Sequence, residues 1–207
     1  MGVDTPEIGR DGAPHQPGAI RASEFLSNLL PEGATVALAY DAERRDRYGR
    51  VLAHVFAGGR NVQALILEKG LGVPLTVPPN VAFLDCYREA THAAVVARAG
   101  LWGEEAYRPL RASDLAPDTR GYRVVRGKVT RRGDSRSSVW LDLDGGALAL
   151  RIVREDLRWF EGFPLHRLVG TTVEARGRVY RQGGQLRIRI RHPADLTVLP
   201  AEPTTEG

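Results

Sequence analysis

Five short apolar runs crowd the second half of this 207-residue chain, and they leave few folds open to it. Residues 121–131, 139–143, 148–153, 172–182 and 185–192 each read as a strand, with glycine-bearing turns between them. One helical piece, 154–160, falls between the third and the fourth. Three strands, a helix and two strands is the order of a small five-stranded OB-like barrel, whose exposed face commonly takes single strands or oligosaccharides. In the last run Arg187, Arg189 and Arg191 alternate with Leu186, Ile188 and Ile190. Alternation sets three guanidiniums on one face and the aliphatic side chains on the other.

The first half has a different grammar. Ala22, Phe25, Leu26 and Leu29 recur at helical spacing over 19–30, and Pro31 and Gly33 end that helix. Val36, Leu38 and Tyr40 alternate in 34–40, as do Val51, Ala53, Val55 and Ala57 in 51–57, which predicts two strands of a hairpin. Its connection holds Arg44, Arg45, Arg47 and Arg50, which must be solvated or face a polyanion. Asn61 is placed to cap a short helix that runs to Lys69 and stops at Gly70. A second helix over 81–99 carries Phe83, Tyr87, Ala90, Ala94 and Ala97 as its apolar stripe and stops at Gly100.

Charge divides the halves further. Residues 1–118 hold 12 Lys and Arg against 15 Asp and Glu, a net of −3, whereas residues 119–207 hold 17 against 10, a net of +7. The whole basic excess therefore lies in the second half. Lys69 and Lys128 are the only lysines. Arginine's planar fork suits phosphate, although a GC-rich genome gives the same bias. No apolar run approaches the roughly 20 residues of a membrane helix. Cys86 is the sole cysteine, so no internal disulfide forms. The expected organisation is a mainly β chain with helices, of the α+β class: a domain over 1–112, a linker over 113–120, the OB-like domain over 121–200 and a disordered tail over 201–207.

Asp4-Thr5-Pro6-Glu7 and Asp46-Arg47-Tyr48-Gly49-Arg50, the latter followed by Val51-Leu52-Ala53, carry a more specific signal. After them come Asn61-Val62, Lys69-Gly70-Leu71, an Ala-rich helix and Gly100-Leu101-Trp102. In order and spacing these blocks resemble the staphylococcal nuclease family over about residues 2–103. The resemblance implies a metal-dependent hydrolase of phosphodiester bonds in DNA or RNA, with calcium as cofactor and single strands favoured. It makes Asp4 and Thr5 metal ligands, Glu7 the general base, Arg50 the phosphate clamp, and Arg47 and Tyr48 the holders of a terminal phosphate. The residue types suit that chemistry. A carboxylate and a carbonyl are the hard oxygen donors that calcium prefers, Glu7 follows a proline that fixes the turn, and arginine grips phosphate at two points.

The family's catalytic barrel begins with three strands ahead of the Asp-Thr-Pro-Glu block, and these supply a second metal carboxylate and a second phosphate-binding arginine. Here Asp4 stands at the fourth position, so the expected fold is an incomplete OB-fold nuclease domain followed by a second OB-like barrel. A late start codon or a fragment would explain this, and so would a repurposed relative. A secreted or periplasmic location would follow from an upstream signal peptide, and a cytoplasmic one otherwise. Thr76 and Pro78 stand in the region of the family's substrate-facing tyrosines. A competing expectation is a non-catalytic nucleic-acid-binding protein built from two OB-like modules. For the second domain, Arg187, Arg189 and Arg191 are the expected nucleic-acid surface.

Overall fold

Strand pairing in the computed structural model, which describes residues 1–200, separates two compact units, Met1–Glu105 and Ala106 onward. The tail expected at 201–207 lies outside the described residues. The first unit runs β1 (Val3–Asp4), α1 (Ala19–Leu29), β2 (Ala37–Ala39), β3 (His54–Ala57), β4 (Arg60–Asn61), α2 (Val62–Glu68), β5 (Val73–Pro74) and α3 (Leu84–Val96). β1 lies antiparallel to β5, with Asp4 opposite Val73, and β2, β3 and β4 form an antiparallel sheet.

The centre of this unit is α2. Asn61 caps it as its sequence position predicts, its side chain accepting from the Ala64 amide at 2.9 Å. Val62, Leu65, Ile66 and the fully enclosed Leu67 bury one side of the helix. Gln63 is buried too, because its amide closes a two-way bridge to β3 and the residue before it: it donates to the Ala53 carbonyl at 3.1 Å and accepts from the Val55 amide at 3.0 Å. A buried amide is tolerated when its donor and acceptor are both used. Past the helix, Gly70 lies in the left-handed region at φ +64, where an added Cβ would stand 2.0 Å from the Ala99 carbonyl oxygen. The Leu101 amide bonds the Gly70 carbonyl at 2.9 Å, so the end of α2 is locked against the end of α3.

The hairpin strands are shorter than the alternation predicts. Ala37, Leu38 and Ala39 pair with Phe56, Val55 and His54, and a single bridge joins Arg45 to Val51. Val36, Leu38 and Tyr40 do share a face, but it is exposed at 39%, 46% and 45%. In the described residues β2 has one neighbour only, which limits how much of its length the ladder holds.

The second unit runs β6 (Leu110–Arg111), β7 (Gly121–Asp134), β8 (Ser138–Leu143), β9 (Leu148–Val153), β10 (Thr172–Gln182), β11 (Gln185–Arg189) and β12 (Leu196–Val198). β7 pairs with β8, β8 with β9, β9 in parallel with β11, β11 with β10, and β10 returns to β7. That circuit is a closed five-stranded OB-like barrel, and the chain as a whole is mainly strand with a few helices. The piece expected to be helical at 154–160 is a 3-10 stretch, Arg154–Phe160, whose Phe160 joins the core. Val125, Val129, Leu141, Leu143, Leu150, Ile152, Val173 and Ile188 fill the interior with no exposure at all.

Two differences from the sequence reading follow from pairing. β6 adds in parallel to β7 and Ala112 is buried in the barrel core, so residues 106–112 belong with the second unit. β11 ends at Arg189: the Ile190 amide makes the last ladder bond, to the Arg151 carbonyl, and His192 then caps the short turn Pro193–Asp195.

Candidate functional site

Asp4 ends β1, and Thr5, Pro6 and Glu7 leave the strand together. Gly72 permits that path: a Cβ there would stand 3.0 Å from the Asp4 carbonyl oxygen and 3.2 Å from Thr5 Cγ2. Glu7 is then fixed by Gln16. Its amide donates to Gln16 Oε1 at 3.1 Å, and its carbonyl accepts from the Gln16 amide at 3.0 Å. The loop between them is closed at its neck, which holds the Glu7 backbone while its exposed side chain stays in water. Thr5 and Glu7 line one open groove of about 960 Å³, whose other walls include Arg10, Gln16, Ala22 and Leu26.

The hairpin tip is organised by Asp46. One carboxylate oxygen accepts from the Tyr48 and Arg50 amides, both at 2.9 Å, while the other accepts from Arg50 Nε at 2.6 Å. Desolvation raises the Asp46 pKa, but the hydrogen bonds from Arg50 and Tyr48 and the guanidinium charge outweigh it and hold the carboxyl below its ordinary value. Arg47 donates to the Tyr48 hydroxyl at 2.6 Å, and the guanidiniums of Arg47 and Arg50 lie 4.7 and 5.3 Å from the centre of the Tyr48 ring. Tyr48 is 68% exposed and the Arg50 side chain 74% exposed, so the tip offers its cations outward.

Thus the structure brings Thr5 and Glu7 into one groove, and Arg47, Tyr48 and Arg50 into one tip. No hydrogen bond or ion pair among the described residues joins Thr5 or Glu7 to those three. The residue that sequence reasoning left without a role is Asp46. Its signal was present: an Asp followed three residues later by Gly in a turn uses its own side chain to accept from the next amides. Gln16, nine residues from Glu7 in a loop without periodicity, gave no comparable signal.

Beneath the sheet lies a buried polar pair. His54 Nδ1 is hydrogen-bonded to the Tyr87 hydroxyl, which also accepts from Asn61 at 3.3 Å. Burial lowers the His54 pKa first, the positive amino terminus lowers it further, and Asp41, 3.9 Å from Nε2, raises it in part. Burial likewise pushes Tyr87 up to about 12 against the Asn61 hydrogen bond. Both groups are therefore neutral at pH 7. Trp102 is buried as well.

Among the described residues no three His, Cys, Asp or Glu side chains gather as a metal-binding set. The Asp4 carboxylate and the Thr5 carbonyl are hard oxygen donors and fit calcium in kind. They fall short in number, since calcium takes six to eight oxygens.

In the second unit the three alternating arginines meet different fates. Arg187 lies over Trp140, 4.8 Å from the ring centre. Arg189 is paired with Asp156 through Nε at 3.2 Å and a terminal nitrogen at 2.9 Å. Arg191 lies beyond the strand, and burial, followed by the neighbouring Arg189 charge, lowers its pKa. They are not equivalent groups on one solvated face.

Residues 1–104 match the family model described as staphylococcal nuclease homologue, half of the chain, and the chain belongs to that family. It is 34% identical over 107 residues to the endonuclease YncB of Bacillus subtilis, a match covering 51% of this chain and 50% of that protein. It is 33% identical over 102 residues to the thermonuclease of Staphylococcus intermedius, covering 49% and 60%. The prophage-derived endonuclease YokF of B. subtilis is 32% identical over 107 residues, covering 51% and 36%. The chain thus spans between about a third and three fifths of the length of these relatives.

Proposed function

We propose that this chain hydrolyses phosphodiester bonds in DNA or RNA, with the chemistry carried by the first unit and grip on single strands supplied by the second. The observation that carries this reading is the outward fork of Arg50. Asp46 engages only its Nε, and its two terminal nitrogens meet no acceptor among the described residues. Those are the nitrogens that grip two oxygens of one phosphate. Asp46 therefore orients the guanidinium for a phosphate without consuming the donors that bind it. Arg47, stacked on Tyr48, adds a second cation at the same tip for a terminal phosphate.

Glu7, held at its backbone by Gln16 and exposed on the groove wall, acts as general base and takes the proton of an attacking water. Arg50 stabilises the charge that builds on the phosphate oxygens. Asp4 and the Thr5 carbonyl would hold a divalent cation, calcium by the hardness of the donors, which when bound would neutralise phosphate charge and acidify water. The test is nicking of circular single-stranded DNA by the chain in millimolar calcium, beside a chelator control. Nicking that the chelator abolishes supports the reading; no nicking in calcium with retained DNA binding sinks it.

That second result would favour a different function, a nucleic-acid-binding protein without catalysis. One observation supports it: no metal-binding set of three side chains exists among the described residues. In that case Arg47 and Arg50 remain phosphate contacts and Glu7 has no proton to take.

A further inference from the structure

The outer face of β8, β9 and β11 holds an aromatic residue that no sequence motif singles out. Register places Gly133, Trp140, Arg151 and Arg189 in one row across β7, β8, β9 and β11. The next row on the same face runs Arg131, Asp142, Ala149 and Arg187. Trp140 therefore sits mid-face. The guanidinium of Arg187 lies 4.8 Å and that of Arg151 5.5 Å from its ring centre. Ala149 points outward by alternation and lies outside the core cluster, yet it is fully buried. Ser138, outward on β8, is fully buried too. The face is therefore a covered aromatic and arginine layer over small side chains, not a row of solvated charges.

Several arginines of this unit are held by carboxylates. Arg126 and Arg176 both bind the buried Glu174, Arg131 binds the buried Asp142, and Arg189 binds Asp156. Among the described residues the two over Trp140 have neutral partners only. Arg151 donates from Nε to Ser138 Oγ at 2.9 Å, and Arg187 donates from a terminal nitrogen to Gln182 Oε1 at 2.9 Å. Arg187 Nε, moreover, is buried with no acceptor among the described residues. An unmet buried donor disfavours the position that Arg187 occupies, so less is lost when it moves to an anion outside. Ser135 in the β7–β8 turn fixes the ring edge by accepting from Trp140 Nε1 at 3.2 Å.

We propose that this face is a binding site for single-stranded nucleic acid, in which a base stacks on Trp140 while Arg151 and Arg187 turn to the flanking phosphates. The proposal rests on the nucleic-acid reading of the chain, but not on its catalysis. An indole face that attracts guanidiniums also accepts the flat, polarisable face of any base, and the two arginines beside it without carboxylate partners are free to meet phosphate. An acidic peptide would satisfy the two arginines and leave the indole unused. Arg189, held by Asp156, stays in place and frames the site.

The experiment uses the full chain in excess chelator, so that cleavage plays no part. A labelled single-stranded oligothymidylate is titrated by anisotropy, and tryptophan emission is followed in parallel. The chain holds three tryptophans, so the Trp140 share is assigned by difference against Trp140→Phe. The expected results are an affinity loss of about tenfold in Trp140→Leu, retention within about threefold in Trp140→Phe, and a salt slope lower by about two units in Arg151→Gln/Arg187→Gln. Polyphosphate of equal charge binds without quenching. Should Trp140→Leu fail to fold, the paired arginine variant and the Phe variant decide the matter. An unchanged salt slope in the arginine variant, or unchanged oligonucleotide affinity in a folded Trp140→Leu, overturns the proposal. So does Trp140 quenching by a polyglutamate peptide when the oligonucleotide gives none, which would make the face a protein-binding surface. Absence of nicking in calcium with the predicted binding losses in these variants sinks the nuclease reading alone, whereas nicking with binding unchanged in them sinks this one alone.

Discussion

The second unit closes its sheet and, among the described residues, the first does not, and the contrast separates where stability lies from where the candidate reactive groups lie. In the barrel every one of the five strands has two partners, and the interior residues are wholly enclosed. In the first unit β2 is an edge, and Val36, Leu38, Tyr40 and Val51 meet solvent. The exposed side chains of Glu7, Arg47, Tyr48 and Arg50 belong to the first unit, on loops rather than on strands. Loops carry such groups because a side chain there is free to reach a ligand while the scaffold behind it holds the backbone.

Core truncation should expose this contrast most strongly. Leu150→Ala in the barrel removes a fully enclosed side chain, and the expected cost is about 2–5 kcal/mol in denaturant unfolding of that unit. Leu38→Thr on the open face of the first unit should change stability by less than about 0.5 kcal/mol. Equal costs would mean that the Leu38 face is covered in solution.

Next in size is the effect at the hairpin tip. Arg50→Lys keeps the charge and loses the fork, so the expected fall in cleavage rate is about a hundredfold, near 3 kcal/mol of transition-state stabilisation. Asp46→Ala leaves Arg50 intact but unoriented, and a smaller loss of about tenfold is expected, with the fold unchanged by circular dichroism. If Asp46→Ala were to raise the rate, the ion pair would be inhibitory and not orienting.

Acidification should separate the units more gently. His54 has its pKa lowered in the folded state, chiefly by burial, so the unfolded chain binds its proton first. The first unit is therefore expected to lose stability as pH falls below about 6.5, and His54→Phe should remove that step. Glu174 in the barrel behaves otherwise. Burial raises its pKa, but the hydrogen bonds of Arg176 and Arg126 outweigh this and lower it overall. Its contribution is present above the ordinary carboxylate value of 4.5 and is lost as pH falls further. Thermal unfolding followed at pH 7, 5.5 and 4 checks the order: the first unit weakens before the second.

Much of this division was legible in the chain. The capping Asn61, the Gly70 stop and the five barrel strands follow from local chemistry and period, which the tertiary structure leaves undisturbed. Residues 106–112 were not legible, since a two-residue strand has no period to read and only its pairing with β7 assigns it. The 3-10 form of 154–160 was hidden because Leu157 and Phe160 suit either helix at that length. At the candidate site, the block order pointed to Asp4, Glu7 and Arg50, but the orienting role of Asp46 depends on turn geometry. The Trp140 layer depends on register across three strands, two of them far apart in sequence. Spacing along one strand made Arg187, Arg189 and Arg191 look alike, whereas Asp156 and Trp140 make them differ.

The account's central claim, that the first unit carries catalysis and the second carries grip, is tested most directly by Glu7→Gln. Cleavage of single-stranded DNA in calcium and affinity for the same strand in chelator are measured on one preparation of the variant. A rate loss of about a hundredfold or more with affinity held within about twofold is expected, because in the proposed mechanism Glu7 moves a proton and does not hold the strand. Equal losses in rate and affinity, or full activity in Glu7→Gln, would contradict it.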